Sequence, residues 1–368
     1  MTEWREFKLG DICTIIQYGY TESATFDPVG PKFLRITDIV PNIIDWSTVP
    51  YCKIDKENYE KYKLDVGDIV IARTGATTGY NKRIKDSINA VFASYLIRFK
   101  INKEIADDCF ISYVLKSDSY FGFIDNAVGG SAQPGINARV LSQFSFLLPP
   151  LPEQKAIAEV LSSLDDKIDL LTRQNKTLED LAQAYFRKWF IEDASDKWEE
   201  IPLGQLFVIS SGKGLKKEKF TEHGQYRVLG ANGEIGKTNE YLFNERLIYT
   251  GRVGTLGNVF IVDREPVWLS DNTLVFRNIK YFFFVYFSLK WANLADYNVG
   301  STQPLIRQSD IKEIRVFMPD KERLDSFENL ANSIFAKINS NQKQIQLLQK
   351  LRDTLLPKLI SGEIRVKM

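Results

Sequence analysis

Two short stretches, Arg73-Thr-Gly-Ala-Thr-Thr-Gly79 and Arg252-Val-Gly-Thr-Leu-Gly257, set an arginine ahead of spaced glycines and hydroxyls. Glycines let backbone amides approach a phosphate closely, and the guanidinium supplies charge. Arg73, Thr74, Gly75, Thr77, Arg252, Gly254 and Thr255 are therefore candidate contacts for a nucleic-acid backbone. A second pair of stretches, Gly129-Gly-Ser-Ala-Gln-Pro134 and Gly300-Ser-Thr-Gln-Pro304, offers hydroxyls and glutamine amides at Ser131, Gln133, Ser301, Thr302 and Gln303. Glutamine can pair bidentately with adenine in the major groove, and hydroxyls can position a phosphate. Near these stretches stand Lys82, Arg83 and Lys85 in the first half of the chain, and Lys213, Lys216, Lys217 and Lys219 in the second. A second reading stays open at this level, in which the glycines serve only turns, Gln133 and Gln303 cap the fold, and the lysines are a solvated face.

Covalent chemistry is not visible. There is no G-x-x-x-x-G-K-[ST] loop, no N-P-P-[YF] or glycine-rich methyl-donor signature, no HExxH and no serine or cysteine triad. His223 is the single histidine, so acid–base work at neutral pH has few candidates. Cys13, Cys52 and Cys109 are scattered, with neither zinc spacing nor an even count for disulfides. We expect no catalytic and no metal-binding residues. Apolar residues make up 44% and charged residues 26%, the balance of a globular chain. The net charge of +1 requires any nucleic-acid partner to be held by local basic patches. No apolar run is long enough to span a bilayer and the N-terminus lacks a signal-peptide core, so a cytoplasmic location without membrane contact is expected.

The candidate loops recur because the chain repeats. "WREFKLGDI" from Trp4 matches "WEEIPLGQL" from Trp198, and the glycine loops and the G-S-x-Q-P stretches come next in the same order. From Pro134 and Pro304 onward the separation stays at 170 residues, pairing Pro149 with Pro319 and Ile168 with Ile338. Insertions are tolerated in the globular part and excluded from the part after it. That second part is helical in both halves. Leu161, Leu164, Ile168, Leu171, Asn175 and Leu178 continue a heptad seam that begins at Ile157 and runs on through Tyr185 and Trp189. Ile334, Ile338, Asn341, Ile345, Leu348 and Leu355 repeat it, with Arg352 as an interruption.

Each helix of about 38 residues would be roughly 57 Å long. Neither can bury its own stripe, so each is expected to pair with the other. The predicted fold is α+β: two mixed α/β heads separated by two long helices that form an antiparallel coiled coil with approximate two-fold symmetry. The expected bounds are a first head at 1–150, a central helix at 151–192, a second head at 193–318 and a C-terminal helix at 319–368. Strands are predicted at "FLRITDIV", "DIVIART", "YLIRFK", "RLIYTG", "NVFIVD" and "NTLVFR", and core helices at "FISYVLKS" and "FVYFSLKW". The heads share a frame but differ in their loops, as two readers of different targets would.

W-x-x-x-x-L-G-[DQ] at the start of each head, the R-x-G loops, "GSxQP", "PLPEQKAIAEVLSSLDDKI" and "LRDTLLPKLISGEI" together resemble the specificity subunit of type I restriction-modification enzymes. The resemblance covers essentially the whole chain. It implies that the heads are target recognition domains, each reading one part of a split sequence in double-stranded DNA, with the helices fixing the gap. It further implies docking of two modification subunits that bring S-adenosylmethionine, joined by restriction and translocase subunits that use ATP and Mg. This chain itself would be non-catalytic and hold no cofactor. The second helix opens with "PDKERLDSFENLANSIFAKI" and so departs from the P-x-x-E-Q form of the first. The competing reading is a coiled-coil scaffold with two protein-interaction heads and no DNA partner.

Overall fold

The structure, a computed structural model, describes residues 4–41, 43–129 and 135–366. The chain forms two compact units, Met1–Thr172 with Gln342–Met368, and Arg173–Asn341. Each unit takes in one head and part of both long helices, Leu151–Arg187 and Lys321–Ser361.

In the first unit, β-branched and aromatic runs build a four-stranded sheet in the order Cys13–Tyr18, Leu96–Ile101, Ile69–Ala72, Asn81–Arg83, with antiparallel neighbours throughout. The second unit has the same arrangement in Val208–Ser211, Thr273–Arg277, Arg246–Gly251 and Val259–Asp263. Register repeats as well, with Ile16 opposite Phe99 and Ile209 opposite Phe276. Two smaller pairings recur. Arg5–Lys8 lies antiparallel to Ser145–Leu148, and Glu199–Pro202 to Arg315–Met318. Lys32–Leu34 runs parallel to Ala90–Phe92, and Tyr226–Gly230 to Val267–Leu269.

The units differ between these shared pieces. The first inserts a helix at Lys56–Tyr62, and the second adds a strand at Gly233–Thr238. The predicted strand "FLRITDIV" stops at Leu34 and turns into a short helix at Ile36–Ile39. Asp38 causes the turn, because its carboxylate accepts from the Arg35 amide (2.8 Å) and from the Arg35 guanidinium. The core helices form at Asp108–Val114 and Phe282–Trp291.

The long helices are antiparallel within each unit. In the first, Ile168 and Leu171 pack with Ile345 and Leu348, while Ile157 and Leu161 share a core with Leu359. In the second, the amide of Asn341 donates to Asn175 Oδ1 (2.8 Å) and Gln174 Oε1 (2.9 Å), and Phe186 and Phe190 pack against Phe327. Asn341 is fully buried, so this polar pair penalises any slipped register.

Pairing of the two helices does not account for all of the stripe. Ile157 and Leu161 join the first head's core with Ile69, Phe99 and Phe110; Ala182, Phe186 and Phe190 join the second head's core with Phe276, Phe283 and Phe287. The predicted heptad step to Tyr185 fails for this reason. Tyr185 is exposed, and burial runs Ala182, Phe186, Phe190 at steps of four as the helix ends in a wider turn over Lys188–Glu192. Leu164, Leu178, Ile338 and Leu355 are half-buried on the same stripe.

The helix starts explain the unequal motifs. Gln154 is fully buried, accepts from the Asp107 amide (2.8 Å), and donates to the carbonyls of Pro149 (2.8 Å) and Ile105 (3.2 Å). Glu153 takes both nitrogens of an Arg365 fork and the Trp4 indole. The position equivalent to Gln154 in the second helix is Leu324, buried in apolar surroundings. There Asp320 caps the Arg323 amide (2.9 Å), and Glu328 reaches the first free amides of Phe282–Trp291, at Phe283 (2.8 Å) and Phe284 (2.9 Å). The two heads are thus tied to their helices by different polar groups.

Candidate nucleic-acid interface

In the second head the two candidate loops, far apart in sequence, come together at one edge, and in the first head the glycine loop meets Gly135 and Ile136 in the corresponding way. Arg73–Gly79 is the tip of the hairpin between Ile69–Ala72 and Asn81–Arg83, closed by Gly79 N to Ala72 O (2.9 Å). Thr74 pairs with Gly135, and the Ile136 amide donates to Arg73 O (2.8 Å). In the second head Val253 pairs with Leu305, and the Ile306 amide donates to Arg252 O (3.0 Å). Gly254 N also donates to Pro304 O (3.0 Å), which sets Ser301, Thr302 and Gln303, all exposed, beside Thr255, also exposed. Ser131 and Gln133 lie outside the described residues.

The glycines have a specific task. Gly75 and Gly254 have φ of +79° and +84°, and Gly79 and Gly257 have φ of +88° and +94°. Both tips therefore use the left-handed region at matching positions, where an L side chain is strained. A Cβ at Gly75 or Gly254 would meet nothing within 4 Å, so backbone conformation alone requires glycine and the tip stays open on that side. Such an open tip can approach a phosphate.

A second shared element borders each tip. Gly19 and Gly212 come directly after the first sheet strand and lie so close to a neighbouring turn that a Cβ would sit 2.2 Å from Ala93 O or 2.1 Å from Ser270 O. Tyr20 N donates to Phe92 O and Lys213 N to Leu269 O, both at 2.8 Å. The turns so held, Ala93–Leu96 and Ser270–Thr273, reach back to the arginines: Arg73 N donates to Tyr95 O (3.0 Å) and Arg252 N to Asn272 O (2.8 Å). Tyr95 and Asn272 are exposed. Sequence inspection for charged or glycine-rich motifs passes over them; aligning "FASYLIRFK" with "LSDNTLVFR" is the signal that finds them. Arg73 also lies over the ring of Tyr18 (4.9 Å), whose hydroxyl accepts from the Ala138 amide (3.0 Å).

The basic residues divide. Lys213, Lys216 and Lys217 are exposed in the second head. Lys216 has Glu218 at 3.7 Å and Lys219 holds Glu240 at 2.7 Å, pairs that solvent largely screens. In the first head the cluster turns inward. Arg83 forms an ion pair with Asp108, and Lys85 reaches Asp166 (3.1 Å) and Asp169 (3.5 Å) on the central helix. Lys82 donates to Pro41 O (2.7 Å), and burial with the nearby Lys116 pushes its ammonium down to about 8. Their strand, Asn81–Arg83, places both beside acidic residues of the central helix, whereas Arg73 stands at the hairpin tip. They line a polar cavity of about 600 Å³ with Tyr113, Lys116, Asp165 and Arg352. Asp165 accepts from Tyr113 Oη (2.7 Å) and Arg352 (2.8 Å). Arg352, the interruption in the second seam, is thus a partner for a helix carboxylate.

Among the described residues no group of three His, Cys, Asp or Glu side chains is placed to hold a metal ion, and no helix is long and apolar enough to cross a membrane.

Two copies of one frame, each presenting glycine amides and an arginine at a hairpin tip, define a two-headed nucleic-acid recognition protein. Residues 1–180 and 195–353 match the family described as type I restriction modification DNA specificity domain. The chain is 27% identical over 349 residues to the type I restriction enzyme MjaIX specificity subunit of Methanocaldococcus jannaschii, covering 83% of this chain and 77% of that one. It is 22% identical over 464 residues to the HindI specificity subunit of Haemophilus influenzae, covering 99% and 100%. The crystal structure of the type I restriction-modification S subunit from M. genitalium has the same fold, with a TM-score of 0.63 at 20% identity over 99% of this chain and 96% of that one. The chain belongs to the type I restriction-modification DNA specificity family, and DNA sequence recognition is its function.

Proposed function

We propose that the heads at 1–150 and 193–318 read two different half-sites of a split duplex target, and that the long helices at 151–192 and 319–368 set the number of unread base pairs between them. The observation that carries this is the repeated frame with unlike residues at its tips: the same backbone bonds hold Tyr95 beside Arg73 and Asn272 beside Arg252. Equal frames give equal approach to DNA; unequal side chains give unequal half-sites. Phosphate contacts fall to the glycine loops and to Lys213, Lys216 and Lys217, with Ser301, Thr302 and Gln303 at the second edge.

In this reading the chain carries no catalytic step. Two modification subunits dock on it and bring S-adenosylmethionine, and restriction subunits supply ATP- and Mg-dependent translocation in the cytoplasm. Family membership supports the DNA reading over a protein-only scaffold. Replacing residues 1–150 with the head of a relative tests the modular part. Mapping methylated sites in cells carrying the chimaera should show one half-site changed and the other kept; an unchanged target rules out independent heads.

A further inference from the structure

The paired turns indicate which side chains distinguish the half-sites. Five backbone hydrogen bonds hold each turn in the same way. Ala93 N donates to Leu34 O as Ser270 N does to Leu229 O, both at 2.9 Å. Leu96 N donates to Ala93 O (2.9 Å) as Thr273 N does to Ser270 O (3.1 Å). Gly19 N donates to Leu96 O as Gly212 N does to Thr273 O, both at 3.1 Å. The bonds to Phe92 and Leu269, and those from Arg73 and Arg252, complete the set. Residues flanking the turn are buried, with Phe92, Leu96, Leu269 and Leu274 at 0% exposure.

The anchored positions, Ala93 and Leu96 in one head and Ser270 and Thr273 in the other, are buried, and between them lie the tip residues Ser94-Tyr95 and Asp271-Asn272. Tyr95 is 60% exposed and fills no core, so packing does not explain a tyrosine there. A rigid backbone carrying an exposed, variable side chain beside a phosphate-binding loop is what base discrimination requires, because the backbone contacts set register and the side chain reads. Asparagine presents the donor and acceptor pair that fits an adenine edge, whereas tyrosine offers one hydroxyl and an apolar ring suited to a thymine methyl.

We propose that Tyr95 and Asn272 are equivalent specificity-determining residues, one for each half-site, and that Asn272 reads the edge of an adenine. This rests on the proposed reading of the heads as DNA readers. The test uses the full-length protein assembled with its modification subunits and a duplex library with both half-sites randomised. Asn272→Ala should relax preference at a single A·T pair of the second half-site by about tenfold. The first half-site and the salt dependence of binding should stay as in the wild type, and retained preference at the other base pairs of the second half-site reports that the second head is folded. Tyr95→Asn should move preference in the first half-site only. Lys216→Ala with Lys217→Ala serves as the contrast, lowering the salt slope with base preference unchanged. The proposal is overturned if Asn272→Ala keeps its full preference at every base pair, or weakens all sequences alike. If the wild-type assembly has no sequence preference, the DNA reading falls and takes the proposal with it; a bipartite wild-type preference that survives Asn272→Ala defeats the proposal alone.

Discussion

Single residues decide whether a charge stands at a loop tip or is held inside the fold. Arg73 and Arg252 sit at hairpin tips, while Arg83, nearby in sequence, is held by Asp108. Asp165 shows the second case most clearly. Burial would raise its carboxyl, but Lys116, Arg352 and the Tyr113 hydroxyl outweigh that and hold it below 3.8. A carboxyl depressed in the folded state adds stability that is present above its unfolded value and lost as pH falls through its folded one. Arg352→Ala should therefore destabilise the first unit by about 1–3 kcal/mol at pH 7, since it strips a partner from a half-buried carboxylate. Urea unfolding measured from pH 7 to pH 3 checks this: the gap from wild type should stay constant to about pH 5 and narrow below 3.8. A gap that widens on acidification would contradict it.

At the scale of elements, the two helix starts solve one problem with different chemistry. Gln154 satisfies three backbone groups where the first head meets the central helix, whereas its repeat partner Leu324 fills a hydrophobic core. Homology within the chain would suggest that Gln154→Leu is harmless, because leucine stands at the matching position. Physical accounting says otherwise. The substitution leaves the Asp107 amide and the Pro149 and Ile105 carbonyls without their partner, at a cost of about 1–3 kcal/mol. Hydrogen exchange at the Asp107 amide should speed up together with a lower urea midpoint; protection equal to wild type would show the amide is held by something else. The P-x-x-E-Q motif is thus a joint between head and helix, with Glu153 binding Arg365.

For the molecule as a whole, the consequence of the proposed function is a length rule. The two units divide in sequence at Thr172/Arg173 and Asn341/Gln342, in the middle of each long helix. Seven residues inserted at both points preserve the helix faces to within about 20°. They should widen the unread gap by about 10 Å, or about three base pairs. Methylation-site mapping reads the gap directly, and an unchanged gap would remove the helices as its determinant. The duplication behind this was legible from the matched segments, because it rests on residue order alone. The inward turn of Lys82 and Arg83 was not, since it depends on which side of a three-residue strand faces the helix.

What the amino-acid sequence determined by itself was everything encoded by local period and order: the repeat, the two long helices, the polar seam positions Asn175 and Asn341, and the glycine tips. These depend on backbone conformation and on the spacing of apolar residues, both local properties. Tertiary structure alone decided which surfaces met. It buried Phe186 and left Tyr185 exposed because the stripe packs on a head as well as on a helix, and it sent one basic cluster inward while leaving another in solvent. It also carried Tyr95 to Arg73 and Asn272 to Arg252 through strand pairings between residues distant in sequence, and such pairings exist only once the sheet has closed.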